Sequence, residues 1–248
     1  MILAIPKPVP LLRAALLLAP ACVPSIGMAN AAGEDVLSIG IVDINPRSSS
    51  GPLTLTNVGD MPTNQRQIGS GVVVERATTA LVGYEHFWTD QFSIKLMLGF
   101  PPTHKLQATG TLAAAGVLGD GQQLSPAVIL KYNFGDAEQR LRPYIGLGIN
   151  YTWFRGTRIT NDVFRQASYG PASITEVTAS SSWNPVYNLG LAYRLDAHWS
   201  LGLSLVHLPL KTRITVVARN TAIGVPETVV TDVRMSAISS ELYLGYRF

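Results

Sequence analysis

The chain holds one cysteine in 248 residues, Cys22, and it lies in the N-terminal segment. Downstream of it neither an internal disulfide nor a thiolate metal site can form. Charge is also scarce, at 14% of residues. Residues 1–31 contain Lys7, Arg13 and no acid, so removing these two from the 19 Lys and Arg leaves 17 against 16 Asp and Glu. A balance that near to neutral argues against nucleic acid as a partner. After residue 31 no stretch approaches the roughly 18 consecutive apolar residues of a spanning helix.

Catalytic patterns are missing too. His86, His104, His198 and His207 have no metal-ligand spacing. Gly146-Leu147-Gly148 lacks the third glycine of a nucleotide loop, and no Gly-x-Ser-x-Gly elbow occurs. Ser239 and Ser240 near the C-terminus have no histidine beside them to activate either hydroxyl. No enzyme is expected, and no cofactor or metal.

What the chain does have is alternation. In the last segment Ile238, Leu242, Leu244, Tyr246 and Phe248 share one face of a strand, and Glu241, Tyr243 and Arg247 share the other. A chain ending on an aromatic in register with a greasy face fits an outer-membrane barrel and resembles the signal read by the barrel-assembly machinery. The start agrees with export. Lys7 and Arg13 make a basic region, Ala14 to Val23 a short apolar one, and Ala29-Asn30-Ala31 a small-x-small cleavage site. The expected division is a signal peptide at 1–31, for Sec export, and a barrel domain at 32–248.

Eight alternating segments are expected as strands, at about 36–45, 79–88, 92–101, 123–134, 142–154, 185–195, 199–213 and from 232 onward. The connections at 89–91, 135–141 and 196–198 are short, and those at roughly 46–78, 102–122, 155–184 and 214–231 are long and polar. Short and long alternate, as periplasmic turns and extracellular loops do. Trp88, Phe92, Phe134, Trp153, Trp199, Tyr246 and Phe248 near the strand ends form an interfacial girdle. The expected fold is all-β, an eight-stranded antiparallel transmembrane β-barrel. A soluble barrel of equal strand count would point its grease inward; the girdle and the terminal phenylalanine decide between them.

Several stretches carry a family likeness: Leu124-Ser125-Pro126, Tyr132-Asn133-Phe134-Gly135-Asp136-Ala137, the run from Leu141 to Thr152, and the closing Gly245-Tyr246-Arg247-Phe248. Together they resemble the outer membrane protein W family. Leu208-Pro209-Leu210-Lys211-Thr212 is similar to the alkane-uptake, AlkL-like branch of that family. The loops show little resemblance.

Parity assigns the lumen. Glu85, Lys95, Lys131, Arg194 and Arg247 point inward near the periplasmic ends, where ionised groups in a narrow barrel must pair, so a charged plug is expected there. Farther out the inward residues are apolar: Leu81, Met97, Ile129, Phe154, Val186, Val206 and Leu208. Residue by residue they serve equally as the filling of a small barrel; segregated from the charges they make a pocket for a hydrophobic solute. Pro101, Pro102 and Pro209 lack a backbone donor, and they either end their strands or open the wall for a sideways exit. The resemblance implies the same lateral route and a constriction at Met97 and Val206.

The expected function is passive uptake of small hydrophobic molecules past the lipopolysaccharide. The expected partners are those solutes, the outer-membrane lipids with lipopolysaccharide, and the assembly machinery. The rival expectation is a structural or interaction barrel whose extracellular loops bind partners, phage or toxins while nothing passes.

Overall fold

The computed structural model describes residues 31–171, 173–219 and 224–248. The leader expected at 1–31 lies outside these residues, apart from Ala31. The strands in chain order begin with β1 (Asp35–Ser50), β2 (Thr54–Val58), β3 (Met61–Arg66), β4 (Ser70–Val74), β5 (Ala77–Phe87) and β6 (Phe92–Gly99). Then come β7 (Thr103–Gly110), β8 (Val117–Leu124), β9 (Ala127–Asn133) and β10 (Leu141–Ile159). Helix α1 (Asp162–Tyr169) precedes β11 (Ile174–Ala179), β12 (Ser182–Arg194), β13 (Trp199–Arg219) and β14 (Pro226–Arg247).

Eight of these strands close on themselves. Each of β1, β5, β6, β9, β10, β12 and β13 pairs antiparallel with the next in that order, and β13 pairs with β14. β14 returns to β1 in a register running from Val36 opposite Arg247 to Ser50 opposite Val233. Closure leaves no free edge around the inner part of the barrel, where each strand pairs on both sides and no water could serve an open rung. The protein is an eight-stranded barrel.

Which way the faces point follows from exposure. On β13 Leu201, Leu203 and Leu205 are exposed while Gly202, Ser204 and Val206 are buried. On β10 Leu147 is 60% exposed and Tyr144 2%. Large apolar side chains therefore form an outward band, rimmed at the turn end by Phe92, Phe134, Trp199 and Tyr246 and at the other by Phe100, Trp153 and Trp183. Such a band suits lipid and would be untenable in water. No helix among the described residues is long and apolar enough to cross a membrane, which says nothing against strands.

The inner ends join through tight turns. The Thr89 hydroxyl accepts from the N–H groups of Gln91 (3.2 Å) and Phe92 (2.9 Å). Asp196 Oδ1 accepts from those of His198 and Trp199, both at 2.8 Å, and the Trp199 and His198 amides hold this carboxyl below its ordinary pKa.

The outer ends differ from the sequence reading. The long segments are not plain loops, since β7 and β8 pair and extend from the upper half of β10, β2 lies on β14 with β3 on β2, and β11 lies on β13. β13 and β14 stay paired out to Arg219 opposite Pro226. Apolar alternation stops before the strands do. A ladder needs backbone partners only, and outward residues such as Lys211 and Arg213 continue it beyond the lipid. The expected fourth strand is likewise two, β8 and β9, separated at Pro126, which has no N–H to give.

Candidate functional site

A buried polar layer crosses the lumen near its inner end. Lys131 Nζ on β9 donates to both oxygens of Glu85 on β5, at 2.7 and 2.9 Å, and Ser93 Oγ donates to Glu85 Oε1 at 2.5 Å. Ser93 is on β6, and Asn133 Nδ2 donates to its Oγ (3.0 Å), which returns the chain to β9. Lys95, cross-strand from Glu85, sets its ammonium 4.0 Å from the centroid of the Tyr243 ring. The Lys131 ammonium sits 3.8 Å from that of Tyr144. The two tyrosine hydroxyls meet at 3.2 Å. Glu241 adds a second carboxylate, whose Oε2 accepts from Ser204 Oγ at 2.6 Å. The layer thus holds two acids, Glu85 and Glu241, and two lysines, Lys95 and Lys131, equal in number.

Two glycines make room for the rings. Gly190 is register partner to Tyr144, and Gly202 to Tyr243. A Cβ at Gly190 would lie 2.5 Å from the Tyr144 ring, and one at Gly202 would collide with the Tyr243 ring. The rings lie flat across the space those side chains would fill.

The expected plug therefore divides. Glu85, Lys95 and Lys131 belong to the crossing layer. Arg194 and Arg247 stand closer to the inner mouth: Arg247 Nη1 pairs with Glu34 Oε2 at 3.0 Å, and Arg194 donates to the Ala137 carbonyl of the turn. Tyr144, Tyr243 and Glu241 complete the layer without having been singled out from the sequence.

Outward of this layer is an apolar cavity of about 110 Å³. Leu81, Met97, Val186, Val206 and Leu208 line it, and Glu241 lies at its floor. Ile129 is fully buried and packs with Ala127, Val186 and Val206 in the cluster that Met97 and Leu208 flank. Phe154 lines a second, smaller cavity of about 30 Å³ farther out. His104, Gln123 and Met235 line both cavities and mark the junction between them. One side of the junction is polar. Gln123 Nε2 donates to Ser125 Oγ (2.8 Å), Ser125 Oγ shares a hydrogen bond with Thr152 Oγ1 (2.8 Å), and Thr152 donates to Asn150 Oδ1 (2.6 Å).

The wall has a gap. β12 and β13 pair from Arg194 opposite Ser200 up to Tyr187 opposite His207. On that side β13 is bonded again at Arg213, whose carbonyl accepts from the Ser180 N–H at 2.9 Å, and pairs with β11 from Ile214 opposite Ala179 outward. Between these points lies an open cleft of about 450 Å³ whose lips carry Ser182, Trp183, Asn184 and Pro185 on one side and Pro209, Leu210 and Lys211 on the other. Leu210 and Met235 line both the cleft and the main cavity. Trp183 and Tyr151, with ring centroids 4.8 Å apart, stand at the outer rim of the lipid-facing band.

Of the three expected prolines, Pro209 is at this gap. Pro101 and Pro102 follow the end of β6, and backbone bonds bracket them on both sides. Gln123 N–H donates to the Pro102 carbonyl at 3.1 Å, and Glu75 N–H donates to the Lys105 carbonyl at 3.0 Å. Pro185 faces Pro209 across the cleft; its missing N–H was available to read from the sequence, but its facing partner was not.

Comparison with known proteins agrees with this architecture. Residues 31–248 match the family described as OmpW family. The chain belongs to the OmpW family. It is 27% identical over 220 residues to outer membrane protein W of Vibrio cholerae, covering 87% of this chain and 89% of that one. The crystal structure of outer membrane protein OprG from Pseudomonas aeruginosa superposes with a TM-score of 0.75 at 25% identity, covering 88% of this chain and 96% of the other. A dibenzothiophene metabolism operon protein, DoxH of Pseudomonas sp. strain C18, is 28% identical over 123 residues, covering 50% of this chain and 52% of its own. This OmpW-family chain is an outer-membrane β-barrel.

Proposed function

We propose that this barrel passes small hydrophobic molecules inward from the cell surface without an energy source, through the apolar outer lumen and sideways into the bilayer between β12 and β13. The observation that carries the reading is Leu210, which lines both the cavity and the cleft. Straight passage is opposed by the Tyr144, Tyr243, Glu85 and Lys131 layer, because an apolar solute would have to displace paired buried charges. Sideways passage takes the solute past Leu210 and Met235, through a cleft edged by Trp183, Pro185 and Pro209 as well as by polar residues such as Asn184 and Lys211, without breaking a buried ion pair, so the hydrophobic effect drives it from water to lumen to lipid. The name of the relative from a dibenzothiophene metabolism operon supports a hydrophobic cargo. The alternative of a solid interaction barrel is opposed by the cavity, which is close in size to the engineered cavity of about 150 Å³ that admits benzene.

The test is uptake of toluene by cells with and without the protein, alongside Met97→Asp and Val206→Asp. Both substitutions put an unpaired carboxylate in the lumen and leave the lipid face untouched, so insertion should persist while uptake falls at least tenfold. Equal uptake with and without the protein, or normal transport by both folded variants, overturns the reading.

A further inference from the structure

His104 is 6% exposed, and its Nε2 has no protein partner. Its other nitrogen, Nδ1, lies 3.2 Å from the Glu75 carbonyl oxygen. A carbonyl only accepts, so Nδ1 carries the ring hydrogen and Nε2 is left as a bare acceptor lone pair. This imidazole stands where the two cavities meet, with Gln123 beside it, and the main cavity below it is apolar. A buried acceptor that no side chain or amide serves costs free energy unless something entering the cavity brings a hydrogen to it.

Resting on the uptake reading above, we infer that His104 selects cargo: the site takes small apolar molecules that carry one hydrogen-bond donor, of the phenol or alcohol class, in preference to pure hydrocarbons. The hydroxyl donates to His104 Nε2 at the junction, and the apolar body fills the space lined by Val206 and Leu208. The Gln123–Ser125–Thr152 chain of hydrogen bonds makes the neighbouring wall polar, which suits the hydroxyl oxygen as well as its hydrogen. The size is right for a single ring. A site built around an unpaired acceptor rejects the analogue lacking the donor more strongly than it rejects a change in bulk.

The test compares phenol with toluene, which match in size and differ in the donor. Binding to the full-length protein in lipid nanodiscs and entry into cells are measured for wild type, His104→Leu and His104→Gln. Wild type should favour phenol by about 2- to 13-fold beyond the partition of each compound into protein-free nanodiscs, the worth of one hydrogen bond. His104→Leu should abolish that preference while still admitting toluene, and His104→Gln, which keeps an acceptor, should retain part of it. Heat-modifiable migration on gels checks that each variant is folded. If wild type admits both compounds equally, or if His104→Leu keeps the preference, the selection is wrong while the uptake reading stands. If neither compound enters, the uptake reading falls and the selection falls with it.

Discussion

Tyr144 and Tyr243 meet hydroxyl to hydroxyl at 3.2 Å inside the lumen, each ring opposite a glycine of the adjoining strand and each faced by a lysine ammonium. Rings held this way obstruct the barrel more completely than the ion pair does alone. Replacing both by alanine should open an aqueous path along the inner end. In planar bilayers the wild type should show little ion conductance and Tyr144→Ala/Tyr243→Ala clear unitary steps. A silent double variant would mean that the lumen is closed elsewhere.

The Glu85–Lys131 pair should be costly to halve. Lys131→Met leaves the Glu85 carboxylate, 6% exposed, without its two ammonium hydrogen bonds. Breaking a buried pair from one side costs about 3–5 kcal/mol, whereas removing both charges together costs far less. Urea unfolding in lipid vesicles should therefore rank Lys131→Met well below Glu85→Gln/Lys131→Met. The reverse order would show that the pair is not electrostatically closed.

Orientation is open to cysteine labelling, because Cys22 is the only native cysteine. Val163→Cys on α1, a position 80% exposed, should react with an impermeant maleimide on intact cells. Glu138→Cys, in the turn between β9 and β10, should react only after the outer membrane is broken. The opposite pattern would invert the barrel.

His104 gives stability a pH dependence of known sign. It lies on β7, whose outward Thr103 and Lys105 are exposed and polar, beyond the lipid-facing band. Burial holds the imidazole below its ordinary pKa, against the weaker pull of the Glu75 carbonyl. Among the described residues that line its two cavities the only other ionisable side chain is Glu241. Below about pH 6.5 the unfolded chain binds the proton more readily than the folded one. Stability is full above that value and is lost as pH falls from it toward the folded pKa. The melting temperature should drop further between pH 7.5 and 5 for wild type than for His104→Gln. Parallel curves would contradict this.

The strands were legible because lipid enforces a strict period of two, and a single slip would bury the outward band. Parity also sets Tyr243 on the inward face with Glu241 and Arg247. The joint role of Tyr144 and Tyr243 was hidden, since it depends on which glycine each one faces, and register between strands far apart in sequence is not written in either strand. The divided plug was hidden for a related reason: Arg194 finds its partner in the carbonyl of Ala137 on a turn, which carries no sequence signal. His104 falls in a segment that reads as loop, and its unserved nitrogen exists only once β7 packs beside Glu75. Pro209 was readable as a break in the ladder; that the break faces Pro185 and not a paired strand is a property of the closed wall.

The most direct measurement closes the gap reversibly. Pro185→Cys/Pro209→Cys places a thiol on each lip of the cleft, where a reducible bis-thiol cross-linker can join β12 to β13. Uptake of toluene by cells carrying this variant should fall to the level of cells lacking the protein once cross-linked, and should recover on reduction. The single-cysteine variants should not respond. Uptake that continues unchanged through the cross-linked barrel would contradict the lateral route.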